Sequence, residues 1–114
     1  MRLTRFGKKE GLGWMKWEKK RESFLGYYRG GVRNGFGMYE WDEDKGIMKQ
    51  YRNRYIGFWK NGERSGLGMF VYSNGDLYLG EWREGKKCGF GIYIGENKKT
   101  IMGCGMRLCL MIIK

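Results

Sequence analysis

The sequence lacks histidine and proline altogether, and only three of its 114 residues are cysteines. Without histidine, neither a Ser-His nor a Cys-His catalytic pair can form, so we expect no enzyme activity. Cys104 and Cys109 are a poor zinc set without histidine partners, and we expect no metal and no cofactor. The odd, sparse cysteine set, which also includes Cys88, is typical of a reducing compartment.

Long apolar runs are also missing. The N-terminal residues MRLTRFGKKEG contain no apolar segment of the kind found in signal peptides. The longest apolar stretch, residues 101–113, is interrupted by Arg107 and is too short to span a bilayer. We therefore expect a soluble, cytoplasmic protein.

Glycine, aromatic residues and positive charge are abundant instead. The chain has 21 glycines, 17% aromatic residues and a formal net charge of +11. The glycines follow no Gly-X-Y period, which excludes collagen, and the aromatic content argues against disorder. The charge favours acidic partners: an anionic membrane, a nucleic acid or an acidic protein surface.

One glycine–aromatic pattern recurs through the chain, and its two best copies lie 23 residues apart. The frame is aromatic-x-Gly-x-Trp-x-x-Gly-x-x-x-Gly-x-Gly-x-aromatic, and it is complete at 55–70 and at 78–93. A third copy begins at Phe24, 31 residues before Tyr55, so eight residues are inserted between them. We divide the single repeat domain 1–114 into a partial repeat (5–23), a repeat (24–41), an insertion (42–54), two repeats (55–77 and 78–100) and a degenerate C-terminal cap (101–114).

Within each copy, residues alternate with the period of two that is typical of β-strands. Asn-Gly at 61–62 and 74–75 predicts turns, so we expect an antiparallel meander of hairpins that grows as a twisted ribbon. Glycines and rings share one face, which lets a ring from a neighbouring strand cover bare glycine backbone. We expect the rings of one copy to cover the glycines of the adjoining copy. The structural residues of this arrangement are predicted to be Tyr55, Gly57, Trp59, Gly66, Gly68, Tyr78, Gly80, Trp82, Gly89 and Gly91.

These residues resemble the MORN (membrane occupation and recognition nexus) repeat, over roughly residues 5–103. The resemblance implies an all-β fold: an elongated, twisted, single-layer antiparallel sheet of stacked β-hairpins. It also implies a non-catalytic scaffold of the kind found in cytoskeletal and ciliary assemblies, in junctional membrane proteins and as appendages of lipid kinases and methyltransferases. For the family, phosphoinositide binding has been proposed, and partner binding in the aromatic-lined groove is the better supported use. The insertion at 42–54 and Gly105 in place of the last Trp depart from the pattern.

The face opposite the rings is also apolar, and a single-layer sheet cannot bury both faces by itself. An exposed apolar patch of this kind is typical of a protein interface, and methionines suit adaptable helix-in-groove binding. The predicted partner-binding residues are Phe36, Met38, Leu67, Met69, Phe90 and Ile92, and Leu12 and Trp14 extend the patch.

The turns repeat a basic signature that stacked hairpins would align into a stripe along one edge. The residues are Arg29, Arg33, Lys60, Arg64, Arg83, Lys86 and Lys87. Such a stripe could contact an anionic membrane, or it could only discourage edge-to-edge aggregation. Nucleic-acid binding is disfavoured, because the rings that would stack on bases are needed to cover glycines.

Together these observations predict a non-enzymatic scaffold that binds a partner protein within a cytoskeletal or ciliary assembly. The alternative is a peripheral membrane module that binds anionic phospholipids through the basic turns. A third interpretation is the repeat segment of a larger enzyme.

Overall fold

The computed structural model describes residues 2–3, 7–41, 53–95, 98–104 and 108–113, with side chains for 7–41 and 53–95. Ten described strands pair antiparallel in chain order into one open sheet, which confirms the predicted all-β meander of hairpins. The strands are β1 (Arg2–Leu3), β2 (Lys9–Trp17), β3 (Glu22–Arg29), β4 (Val32–Trp41), β5 (Asn53–Lys60), β6 (Glu63–Val71), β7 (Leu77–Arg83), β8 (Lys86–Gly95), β9 (Lys98–Cys104) and β10 (Leu108–Ile113). The principal dimensions of 52, 35 and 19 Å make the sheet elongated.

A continuous row of glycines crosses the sheet from β2 to β8. Each glycine is the direct cross-strand partner of the next: Gly13, Gly26, Gly37, Gly57, Gly68, Gly80 and Gly91. The rings of Phe24, Tyr55 and Tyr78 lie over this row, each above the glycine two residues ahead and its partner on the next strand. We predicted coverage by a ring from an adjoining copy, but the first ring of each repeat covers the glycines of its own repeat.

The face of the sheet that carries these rings, here called the ring face, contains nearly all of the core. The buried hydrophobic side chains described are Phe24, Tyr28, Tyr39, Tyr55, Trp59, Tyr78, Trp82 and, on the opposite face, Val71. Burying a large side chain of this type stabilises the fold by about 1.5–3 kcal/mol. The core is therefore a line of rings along the ribbon rather than a compact centre.

Three two-residue turns lie on one edge, here called the tight-turn edge. They are Gly30-Gly31, Asn61-Gly62 and Glu84-Gly85, and both residues of each turn have positive φ. That backbone is the type I′ turn, whose twist matches the right-handed twist of paired strands. The predicted turn at 74–75 is the centre of a wider loop at the other edge, where the Asp76 N–H donates to Asn74 Oδ1 at 3.0 Å.

The second strand of each full repeat contains a bulge. Between Gly26 and Tyr28 on β3, the paired residues of β4 run from Gly37 to Arg33, so the β4 side is longer by two residues. Gly66 and Gly89 lie in the equivalent bulges of β6 and β8, with φ of 72° and 64°. We predicted that these two glycines lie under rings, but they instead supply the left-handed backbone that a bulge requires.

The predicted insertion lies mostly outside the described residues. β4 ends at Trp41, β5 begins at Asn53, and these two residues are direct partners across the hairpin. Asn53 and Arg54, which we assigned to the insertion, therefore belong to β5. In the predicted cap, β9 and β10 pair antiparallel from Cys104 and Leu108 outward.

Candidate functional site

The face opposite the rings, here called the apolar face, presents an unbroken row of apolar residues. These residues are direct partners from β2 to β8: Trp14, Leu25, Met38, Ile56, Met69, Leu79 and Ile92. We call them the inner row. Backbone alternation places them there, because each is the chain neighbour of a residue of the glycine row.

A second row runs beside the inner row, two residues closer to the tight-turn edge. This outer row contains Leu12, Tyr27, Phe36, Phe58, Leu67 and Phe90. Phe36 and Phe58 are in edge-to-face contact, with ring centroids 5.5 Å apart. On β7 the outer row is interrupted by Glu81, whose carboxylate accepts the Phe90 N–H at 3.0 Å.

All six predicted partner-binding residues lie on the apolar face. Four of them are strongly exposed: Phe36 is 50%, Leu67 62%, Phe90 75% and Ile92 40% accessible. Met38 and Met69 are partly exposed and lie in the inner row. The prediction did not include Leu25, Ile56, Phe58 and Leu79. The repeat frame could have identified three of them, because Leu25, Ile56 and Leu79 each directly follow the first aromatic residue of a copy.

Four members of the predicted basic stripe are exposed at the tight-turn edge: Arg29, Lys60, Arg83 and Lys86. Arg83 and Lys86 face each other directly across the Glu84-Gly85 turn. An open basin of about 640 Å³ lies between the turns of the last two full repeats, lined by Lys60, Arg83 and Lys86 with Glu63 and Glu84.

The other three members of the stripe, Arg33, Arg64 and Lys87, occupy a different place. Their cationic groups lie over rings of the ring face rather than at the edge. The Arg33 guanidinium is 4.9 Å from the Trp59 ring centroid, and that of Arg64 is 4.8 Å from Trp82. Lys87 Nζ lies 4.6 Å from the ring of Tyr78 and donates to the Tyr72 hydroxyl at 2.7 Å.

Each arginine also joins two successive repeats. Arg33 Nη2 donates to the Gly62 carbonyl at 3.1 Å, while the Gly62 N–H donates to the Arg33 carbonyl at 2.9 Å. Arg64 and Gly85 repeat this exchange at 2.8 and 3.0 Å. We call the arrangement the arginine clasp. Burial lowers the pKa of Arg64, as expected for a cation held among rings.

The tryptophans of the frame make a second link between repeats. Trp59 Nε1–H donates to the Gly37 carbonyl at 3.2 Å, and Trp82 Nε1–H to the Gly68 carbonyl at 3.1 Å. Each indole also packs edge-on against the first ring of the preceding repeat, at 5.4 Å for Phe24–Trp59 and 5.3 Å for Tyr55–Trp82. The glycine row, the covering ring and the linking indole therefore form one unit that recurs along the sheet.

A family model for the MORN repeat matches this chain at residues 5–20, 24–43, 55–77 and 78–100, which is well over half of its length. The chain belongs to the MORN repeat family. MORN is a non-catalytic repeat type, and MORN repeats generally serve as protein- or lipid-interaction modules. No curated protein matches the chain.

Within this MORN array, buried tyrosines have altered acidity. Burial raises the pKa of Tyr55 to about 12 against the opposing effect of Arg64. Burial, followed by a hydrogen bond donated to Glu22, raises the pKa of Tyr39 to about 12. Burial also raises the pKa of Tyr28, which replaces the Trp of the frame and whose hydroxyl has no partner among the described residues. These hydroxyls stay protonated at neutral pH and take part in packing.

In the described part of the MORN array, no three residues of metal-binding type come together. Among the same residues, no helix has the length and apolar character needed to cross a membrane. Two exposed features of the described residues offer contact to another molecule: the apolar face and the basic tight-turn edge.

Proposed function

We propose that this MORN protein is a non-catalytic scaffold that binds a segment of a partner protein on its apolar face. The observation that carries the proposal is the exposure of that face. Eleven large hydrophobic side chains of the described residues are 40–75% accessible, and all of them lie on the side away from the rings. Contiguous apolar surface of this kind marks an interaction site.

The role of the ring face also supports partner binding on the apolar face. The aromatic residues of the ring face cover the glycine row and form the core. If these rings turned away to bind a partner, the glycine backbone would be exposed and the fold would be lost. On the apolar face only Val71 among the described residues is buried, and the exposed side chains of its two rows are available without any change in the sheet. The setting we propose is a cytoskeletal or ciliary assembly in the cytoplasm, as the family resemblance implies.

The experiment is a selection of short displayed peptides against the wild-type protein and against a Leu67→Asp/Leu79→Asp variant. Both leucines are exposed, so the double substitution leaves the ring core in place. Lys19→Asp, in the exposed turn between β2 and β3, is the control, because it changes the charge by the same two units.

We expect wild type and Lys19→Asp to enrich the same peptides, and the double variant to lose them. Enrichment of the same peptides by the double variant would contradict the proposal. Circular dichroism and urea unfolding of all three proteins check that each is folded.

The basic tight-turn edge favours a second candidate, a peripheral module that binds anionic phospholipids. Against it, neighbouring strands rotate by about 20–25°, so turns two strands apart point about 40–50° away from each other. A planar bilayer would therefore contact only one or two of the exposed turns at a time. We rank the protein partner first for this reason.

Vesicle flotation separates the two candidates. The probes are phosphatidylcholine vesicles with and without phosphatidylserine and a phosphoinositide, at about 0.15 M salt. A scaffold that binds protein stays at the bottom of the gradient. Flotation that is lost in Arg29→Glu/Lys60→Glu/Arg83→Glu/Lys86→Glu, but kept in Leu67→Asp/Leu79→Asp, would establish the membrane module instead.

A further inference from the structure

We propose that the segment bound on the apolar face is an acidic amphipathic α-helix that lies across strands β5–β8; this rests on the proposed function. On these four strands the inner row continues without a gap through Ile56, Met69, Leu79 and Ile92. The outer row contributes Phe58, Leu67 and Phe90, of which Phe90 is 75% accessible. Together the seven side chains form a two-row stripe perpendicular to the strands.

The dimensions of the stripe match those of one helix. Its rows are two residues, or about 7 Å, apart, and the four strands span about 14 Å between their axes. A helix is about 10–12 Å wide with its side chains, so it covers both rows. A helix of about 10–14 residues is about 15–21 Å long and covers the four strands. The twist of the sheet limits a straight helix to a few strands, which is why we place it on four.

Backbone chemistry favours a helix over an extended segment. The four strands pair with neighbours on both sides, so this part of the sheet offers apolar side chains and no open strand edge. An extended peptide laid flat on these side chains would leave its own N–H and C=O groups without partners away from water. A helix satisfies them internally.

The charges beside the outer row favour acidic residues on one flank of that helix. Lys60, Arg83 and Lys86 are exposed there, and none has a carboxylate within 4.0 Å among the described residues. Arg83 and Lys86 are direct cross-strand partners of like charge, an arrangement that is unfavourable until an anion lies beside it. Glu63, the direct cross-strand partner of Lys60, lies at this edge with Glu84, and Glu81 lies in the outer row, so the attraction for an acidic flank comes from the Arg83–Lys86 pair.

The net charge of +11 also decides against a second copy of the chain as the occupant. Two copies facing each other would bring like charges together on the same edges, which is unfavourable. An acidic helix is attracted by the same charges, and its association should weaken as salt increases.

The test uses three designed peptides of about 14 residues, a helix length chosen to match the stripe. The first has Leu and Phe on one helical face and Glu on one flank. The second replaces each Glu with Lys, and the third is the first with a central Pro that breaks the helix. Dissociation constants are measured by fluorescence anisotropy at low and physiological salt.

We expect the acidic helix to bind about tenfold or more tightly than either control peptide, with affinity that falls as salt rises. In Lys60→Glu/Arg83→Glu/Lys86→Glu the preference between the Glu and Lys peptides should reverse. In Leu67→Asp/Leu79→Asp the acidic helix should no longer bind, while Lys19→Asp should bind it as wild type does.

Equal binding of the Lys or Pro peptide, or an unchanged preference in the charge-reversed variant, would overturn the inference. If binding in those cases still depended on Leu67 and Leu79, the proposed function would stand with a different partner chemistry. If the leucine variant kept its binding, the inference and the proposed function would both fail. If no peptide bound, the inference alone would fail, because the selection of displayed peptides tests the proposed function.

Discussion

In each full repeat, one ring lies so close over two glycines that neither position has room for a methyl group. A Cβ at Gly68 or Gly57 would collide with the Tyr55 side chain, and one at Gly37 would collide with the Phe24 ring. These strand glycines do not have positive φ, so it is space and not conformation that requires glycine there. The close approach lets the ring bury its whole surface, and Tyr55 is 0% accessible.

Gly68→Ala should therefore lower the free energy of unfolding by about 1–3 kcal/mol, because the added methyl displaces the Tyr55 ring. Gly95→Ala is the matched control. Gly95 is also a strand glycine without positive φ, and a Cβ there would meet its nearest neighbours at an ordinary 3.6 Å. We expect this variant to be neutral or slightly more stable. Urea unfolding measures both, and equal losses would contradict the steric explanation.

The buried tyrosines predict a loss of stability at alkaline pH. The pKa of Tyr55 is about 12 in the folded chain, whereas an unfolded tyrosine ionises near pH 10. The stabilisation is complete below pH 10 and decreases as pH rises toward 12, because the unfolded chain then releases a proton that the folded chain keeps. For Tyr55 the loss is on the order of 2 kcal/mol.

Urea unfolding at pH 9, 10, 11 and 12 measures this loss. Tyr55→Phe is the informative variant, since the equivalent position of the first full repeat is naturally Phe24. It should be less stable than wild type at pH 9, because the hydrogen bond from Tyr55 Oη to the Phe58 carbonyl is gone. It should also lose less stability between pH 10 and 12, and an equally steep loss would contradict the assignment to Tyr55.

Among the elements, the strands and the glycine row were predictable from the sequence. The alternation of residues within each copy indicates the strands, and the 23-residue spacing of the copies aligns their glycines. The bulge was not, since it adds two residues to one strand and so preserves the alternation on both sides of it. For that reason Gly66 and Gly89 looked equivalent to Gly68 and Gly91.

The place of the basic residues was only partly predictable. Arg33 alternates with Gly35, Gly37 and Tyr39, and this parity already favoured the ring face over the edge. What the parity could not reveal is which ring Arg33 contacts, because Trp59 belongs to the next repeat and lies beyond the insertion.

Two of the tight turns carry different residues at the same position, and exchanging these residues by mutation tests the turn type. Glu84 and Asn61 both occupy the first central position of a type I′ turn, with φ of 51° and 52°. Asn tolerates this backbone better than Glu, so Glu84→Asn should raise the free energy of unfolding by about 0.5–1 kcal/mol. Asn61→Glu should lower it by a similar amount. Thermal unfolding of the two variants checks the pair, and changes of the same sign in both would contradict the turn assignment.

At the scale of the whole molecule, each described strand contacts its sequence neighbours, so the ribbon is held together by links between consecutive repeats. Backbone pairing supplies one link and the indole-to-glycine hydrogen bond a second. The arginine clasp is the third, and it joins the turn of one repeat to the bulged strand of the preceding one. A sheet without a second layer depends on such links, since no core outside the sheet among the described residues restrains its strands.

The clasp distinguishes two classes of basic residue that look alike in sequence. Arg33→Gln and Arg64→Gln should each lower the free energy of unfolding by about 1–2 kcal/mol, because each removes a guanidinium that stacks on an indole and bonds a turn carbonyl of the next repeat. Lys60→Gln and Arg83→Gln, at exposed edge positions, should change it by less than about 0.5 kcal/mol.

Hydrogen exchange of the Arg64→Gln variant should show faster opening at the Gly85 N–H, which donates to the Arg64 carbonyl, than at the Gly62 N–H, whose clasp is intact. Equal destabilisation by all four substitutions would mean that charge alone, and not the clasp, accounts for the effect, and the separation between structural and edge cations would fail.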